Sequence, residues 1–280
     1  MNETLTIFLA AVIPAIVLVI YIYAKDDRPE PIGQLVKAFL LGALSAPLSL
    51  CISKPLAMLG YYSNDAVGLI ESFRVAFFGA ALPEEVAKMV VLWLFLRRNR
   101  HFDEYFDGLV YAACVGMGFA ALENVLYLFD GGEEWQMVGR MRALMAVPGH
   151  FLFAMLMGYY YSLAHFSNSA AFRSRYFVLA LVAPIIAHCI YDTLAFMSSG
   201  YFGIVFFCGV VVLLVKLWRR FSRNMKALKE HDHYRFDVTP PPLSSTPPPL
   251  SSTPPPLPGS RQQKPEPEAD NSRYMPKDDQ

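Results

Sequence analysis

Charge is scarce in this chain. Asp, Glu, Lys and Arg make up 17% of its 280 residues against 54% hydrophobic, and the formal net charge is zero. Soluble domains carry about 25% charged residues, so the balance argues against a water-soluble globule. A neutral chain also gives no electrostatic ground for a nucleic-acid partner. Cysteine is scarce too: Cys51, Cys114, Cys189 and Cys208 stand singly in apolar blocks. They lack metal or redox spacing and read as small buried side chains rather than disulfide partners. Several catalytic signatures are missing. No HExxH occurs, which removes a zinc site of that type, and no Gly-x-Ser-x-Gly elbow lies in an apolar block. Gly116-Met117-Gly118 is followed by Phe119, not Asp, against a paired-aspartate membrane protease. No basic residue precedes the first apolar block, and Lys25-Asp26-Asp27-Arg28 follows it in place of a small-residue cleavage site. That block reads as a retained span rather than a secretion signal.

What the chain does have is apolar blocks of about twenty residues, the length that crosses roughly 30 Å of hydrocarbon. They fall near 5–24, 34–53, 75–96, 107–129, 143–165, 176–197 and 200–218, the last two read as a tight hairpin. The expectation is an all-α polytopic membrane bundle of about seven transmembrane helices, with residues 54–74 as an extramembrane loop. Thirteen Lys and Arg flank the ends of the odd-numbered spans, among them Arg97, Arg98 and Arg219, against four on the other side. By the positive-inside rule the N-terminus is outside and the C-terminus cytoplasmic. Residues 1–235 form the membrane domain. Residues 236–280, with the repeat PPPLSST-PPPLSST-PPPLP, read as a disordered Pro-rich tail of polyproline II character. It is a solvated spacer or a docking segment for a proline-reading partner.

The third block, FGAALPEEVAKMVVLWLF, carries Glu84, Glu85 and Lys88 at its middle. A charge at a bilayer centre costs on the order of 3 kcal/mol by insertion scales, so three within five residues point to a polar cavity. Pro83 before them suits the first turn of a helix or a kink. Other blocks add Glu123 and Asn124, His150 after Pro148, and His188 with Asp192 four residues on, hence on one helix face. At 1.5 Å per residue, Glu84, Glu123, His150, His188 and Asp192 lie roughly 8–14 Å below the outer boundary, a common depth that one outward-opening cavity would explain. A desolvated carboxylate is a competent base near neutral pH. One of the paired glutamates would bond Lys88 while the other activates water, and His188 with Asp192, or His150, would stabilise a tetrahedral oxyanion. Arg140 and Arg142 read as interfacial anchors, with contact to a substrate or a carboxylate as the other reading.

Glu84-Glu85-x-x-Lys88, Phe119-x-x-x-Glu123-Asn124, His150 and His188-x-x-x-Asp192, each in a separate block, together resemble the PrsW family of bacterial intramembrane proteases, relatives of the CAAX prenyl endopeptidase group. The resemblance covers about residues 25–200, including Pro29-Glu30-Pro31. It implies a peptide hydrolase of the bacterial cell membrane in which Glu84 and Glu85 are the essential carboxylates and His188 serves the oxyanion. Glu123 stands where the prenyl-protease relatives carry a water-orienting histidine, and Asp192 where several carry Asn. It further implies a single-span membrane substrate such as an anti-sigma factor, given its first, extracytoplasmic cut under envelope stress. No cofactor is expected. Glu84, Glu85, Glu123, His150 and His188 are donors suited to a divalent metal such as zinc, but Lys88 competes with a cation for the carboxylates. A proton- or cation-coupled transporter is the other class; transporters often repeat in two matching halves, and no such repeat is evident.

Overall fold

The computed structural model describes residues 2–63, 68–198 and 203–236. Every regular element among them is helical. Helix α1 spans Glu3–Tyr23, its first turn capped by the Asn2 side chain accepting from the Thr4 amide at 3.2 Å. Helix α2 is Ile32–Met58, and α3 (Leu69–Arg74) runs through a π-helical segment, Val75–Ala81, directly into α4 (Leu82–Leu96). Helix α5 is Asp107–Asp130. A 3-10 turn and α6 (Trp135–Met141) lead through a second π-helical segment, Arg142–Ala146, into α7 (Val147–His165). Helices α8 (Ala170–Met197) and α9 (Gly203–Phe236) complete the described chain.

Among the described residues five helical stretches are long and apolar enough to cross a membrane: α1, α2, α5, Gly132–His165 and α8. The other two blocks expected to span, 75–96 and 200–218, are helical wherever described. They are set apart by charge: Glu84, Glu85 and Lys88 in one, and Lys216 in the other, with Arg219 and Arg220 directly after it in the same helix. Two expected boundaries move. The loop shortens because α2 continues through Pro55 to Met58 and helix resumes at Leu69. The fifth block gains helical turns before residue 143, since α6 and the π segment join α7 without a break. The hairpin residues 199–202 and the Pro-rich tail lie outside the described residues.

Helix α5 is the axis of the bundle. From Gly108 to Ala121 its side chains are buried all round, the pattern of a helix enclosed by others. Small residues bring its neighbours close. A Cβ on Gly118 would stand 1.9 Å from the Phe39 carbonyl of α2, and one on Gly116 would stand 2.6 Å from the Ala154 Cβ of α7. Such backbone-to-backbone approach is how helices gain packing where lipid supplies no hydrophobic drive. The outer helices present Leu40, Leu44, Val182, Ile186 and Ile190 outward, as lipid-facing surfaces must. Cys114 and Cys189 are buried as expected, whereas Cys51 and Cys208 are exposed on their helices, and all four are free thiols.

Candidate active site

Two of the polar motifs follow the same local device. Each π-helical segment ends where a proline begins the next helix, Pro83 in α4 and Pro148 in α7. Proline lacks the N–H that an α-helical ladder would use, and π turns collect at functional sites because they re-aim the side chains around them. Glu84 and Glu85 sit just beyond the first junction, His150 just beyond the second. The widened turns therefore set the direction of three candidate groups.

The seven expected residues are brought together by α4, α5, α7 and α8. Lys88 Nζ donates to Glu85 Oε1 at 2.8 Å and to Glu84 Oε2 at 3.4 Å, and contacts His150 Nδ1 at 3.2 Å. An ammonium only donates, so His150 Nδ1 accepts and its Nε2–H is the donor to Glu123 Oε2 at 2.9 Å. His188 Nδ1 meets Glu85 Oε1 at 2.9 Å, while its Nε2 lies 3.2 Å from Asp192 Oδ2 and 3.9 Å from Glu84 Oε2. Two rings support the network. Phe119 lies under the Lys88 ammonium at 3.9 Å, and Phe153 stacks on His188 at 4.7 Å.

The two glutamates are not equivalent. Glu85 is fully buried at 0% exposure, locked between Lys88 and His188. Glu84 faces a cavity of about 280 Å3 shared with Glu123, His150, His188 and Asp192. The expected division, one carboxylate on Lys88 and the other toward water, is thus replaced by a graded one: both bond Lys88, Glu85 more closely, and Glu84 alone of the pair reaches the cavity. A second, larger cavity of about 810 Å3 meets the first at Ala80, Glu84, Glu123 and Tyr127, and extends toward Ser49 and Ser53 of α2.

Of the two sequence readings of Arg142, the structure bears out the contact with a carboxylate. Its Nη2 donates to Glu123 Oε2 at 2.5 Å, its Nε to Asn124 Oδ1 at 2.6 Å, and its guanidinium covers the Tyr127 ring at 4.0 Å. The π segment turns it inward, where a guanidinium can satisfy a carboxylate and an amide together. Its distance from Glu123 in sequence hid the pairing. Tyr191 also lines the cavity, and its place beside Asp192 was the signal available.

Comparison with known proteins places the chain in a family. A family profile described as "PrsW family intramembrane metalloprotease" matches residues 30–218. Protease PrsW of Bacillus subtilis (strain 168) is 37% identical over 185 residues, covering 65% of this chain and 79% of the relative. Protease PrsW of Geobacillus kaustophilus (strain HTA426) is 35% identical over 224 residues, 79% of this chain and 91% of the relative. That of Oceanobacillus iheyensis is 33% identical over 215 residues, 77% and 94%. No solved structure matches the chain.

The family description names a metal, so the donor set must be tested for it. Glu84, Glu85, His150 and His188 each place a ligand atom within 4.8 Å of the others, and Glu85 Oε2 is buried without a hydrogen-bond partner. The types suit zinc, but its bonds to oxygen and nitrogen are about 2.0–2.2 Å long. The Lys88 ammonium already stands 2.8–3.4 Å from three of those four side chains. An ion among them would face that charge at close range in a low-dielectric interior. This arrangement does not fit a metal centre. With its helical membrane architecture, its buried carboxylate–lysine–histidine network and these relatives, the chain is a multi-pass membrane peptide hydrolase and belongs to the PrsW family of intramembrane proteases.

Proposed function

We propose that this protein hydrolyses a peptide bond of a single-span, membrane-anchored protein near the extracytoplasmic face of a bacterial cell membrane, using water activated by Glu84. The observation that carries the reading is the asymmetry of the glutamate pair: Glu85 is fixed and sealed, while Glu84 opens on the cavity. An anti-sigma factor receiving its first cut in regulated proteolysis is the substrate class the family likeness suggests. The larger cavity toward α2 gives an extended segment a route to Glu84.

The steps balance without a metal. A Glu84 carboxylate oxygen takes a proton from water as the water oxygen bonds to the scissile carbonyl carbon. His188, anchored through Nδ1 on Glu85 Oε1 at 2.9 Å, turns its Nε2–H from Asp192 Oδ2 to the oxyanion that forms. As the C–N bond breaks, Glu84 returns its proton to the leaving nitrogen, giving a carboxylic acid and an amine. Glu85 and Lys88 hold His188 and Glu84 in register, and Arg142 with His150 orients Glu123 at the opposite wall. Such positioned acid–base catalysis contributes about 10²–10⁴-fold.

The test uses a tagged single-span substrate co-expressed with the wild type, Glu84→Gln or His188→Ala. Loss of the cleaved fragment in both variants, at wild-type protein levels, supports the reading. Undiminished fragment from both ends it.

A further inference from the structure

A second group of carboxylates lies at the other end of α5. Asp107, the first residue of that helix, is sixteen positions from Glu123, or roughly 24 Å at 1.5 Å per residue. There it meets Glu30, from the linker before α2, and Asp103, from the loop between α4 and α5. One oxygen from each lies within 4.8 Å of the others. Asp107 is fully buried and Glu30 is 6% exposed, while Asp103 is open to solvent.

The hydrogen bonds leave this group incomplete. Asp107 Oδ2 accepts the amides of Asp103 at 3.0 Å and Glu104 at 2.7 Å. Its Oδ1 is buried and no donor reaches it. The Glu30 carboxyl lies beside it, one oxygen of each within 4.8 Å of the other, and Glu30 Oε2 accepts from the Tyr111 hydroxyl. Arg28 is engaged with Glu104 at 3.1 Å and Lys229 with Asp27 at 2.8 Å, while the His101 imidazole lies on the Glu30 side of the group. A buried carboxylate facing another carries the cost of desolvation and of like-charge repulsion. A positive charge seated among the three oxygens removes that cost.

The chemistry of the three indicates which charge. All are hard carboxylate oxygens, the set that Ca2+ and Mg2+ take. Oxygens bound to Ca2+ at 2.3–2.6 Å are up to about 5 Å apart across the ion, and the three here lie within 4.8 Å of one another. Asp103 supplies the open side through which an ion enters and keeps water. We propose that Glu30, Asp103 and Asp107 bind one hard divalent cation, Ca2+ or Mg2+, which ties the α1–α2 linker to the start of α5 away from the hydrolytic cavity. The inference does not rest on the hydrolysis mechanism above.

The full chain, purified in nanodiscs and stripped with EDTA, is titrated with Ca2+ and with Mg2+ while bound metal and the unfolding midpoint are recorded. One equivalent is expected, with a midpoint that climbs with free ion as binding to the folded state requires. Asp103→Asn, an exposed change, should weaken binding at least tenfold, as should Glu30→Gln, while Glu84→Gln retains the equivalent. No binding of either ion overturns the proposal. So does undiminished binding in Asp103→Asn and Glu30→Gln, or loss of the equivalent in Glu84→Gln, which would put the ion at the other cluster. A midpoint indifferent to both ions but falling as pH rises would assign the buried pair a shared proton and likewise overturn it.

Discussion

Lys88 Nζ stands 2.8 Å from Glu85 Oε1, with the lysine side chain 3% exposed and the glutamate's 0%. Two opposite charges one helical turn apart are therefore sealed together away from water and lipid. Breaking a buried pair by removing one partner costs about 3–5 kcal/mol, because the survivor is left unpaired. Lys88→Met is expected to lose about that much stability and nearly all cleavage, read by thermal unfolding in detergent and by fragment yield. Retained stability would mean that Glu85 does not depend on the ammonium.

The two glutamates should separate experimentally. Glu84→Gln keeps the shape of the cavity wall and removes the base, so cleavage falls by about 10²–10⁴-fold with the unfolding midpoint nearly unchanged. Glu85→Gln removes the charge that bonds Lys88 and His188, and should lower the midpoint as well as the rate. Equal midpoints and equal rate losses in the two variants would contradict the division of roles.

Arg142 bonds both Glu123 and Asn124. Arg142→Lys keeps the charge but loses the planar fork that serves two acceptors at once. Cleavage is expected to fall about 10–100-fold, as for loss of a single supporting group of a catalytic centre, with substrate capture by an inactive Glu84→Gln background little changed. A wild-type rate in Arg142→Lys would return that residue to a purely interfacial role.

Chelation separates the two ends of the molecule. Stripping metal from the purified enzyme should leave the cleavage rate within about twofold, since Lys88 already fills the space among the catalytic donors. Any loss should appear in the unfolding midpoint. Abolished cleavage that zinc alone restores would replace the glutamate mechanism with a metal one.

The α2–α5 contact predicts a packing phenotype far from the chemistry. In Gly118→Ala the new Cβ would meet the Phe39 carbonyl at 1.9 Å, a backbone atom that cannot swing aside. A loss of about 1–3 kcal/mol follows for such overpacking, measured as a lower unfolding midpoint. An unchanged midpoint would show that α2 can slide along α5.

Much of the site was legible because charge in an apolar block has few harmless explanations. Glu84, Glu85, Lys88, Glu123, His150, His188 and Asp192 each stood out against their own helix, and the structure brings all seven into one connected network. Arg142 was ambiguous. A basic residue near a helix mouth reads as an anchor or as a carboxylate's partner, and the π segment after α6, where it lies, places it on Glu123. The acid group at Glu30, Asp103 and Asp107 was silent, because single carboxylates in short loops look solvated until the fold buries two of them.

Composition and block length by themselves determined a helical membrane protein, since no water-soluble core needs so many twenty-residue apolar runs, and backbone polar groups in lipid are satisfied within helices. Residue type and spacing determined which side chains do not belong against lipid. Which glutamate reaches the cavity, which arginine joins it, and whether Lys88 leaves room for an ion were decided only in three dimensions. The reason is that burial and hydrogen-bond partnership depend on neighbours drawn from other helices, a hundred and three residues away in the pairing of Glu85 with His188, and no local pattern records them.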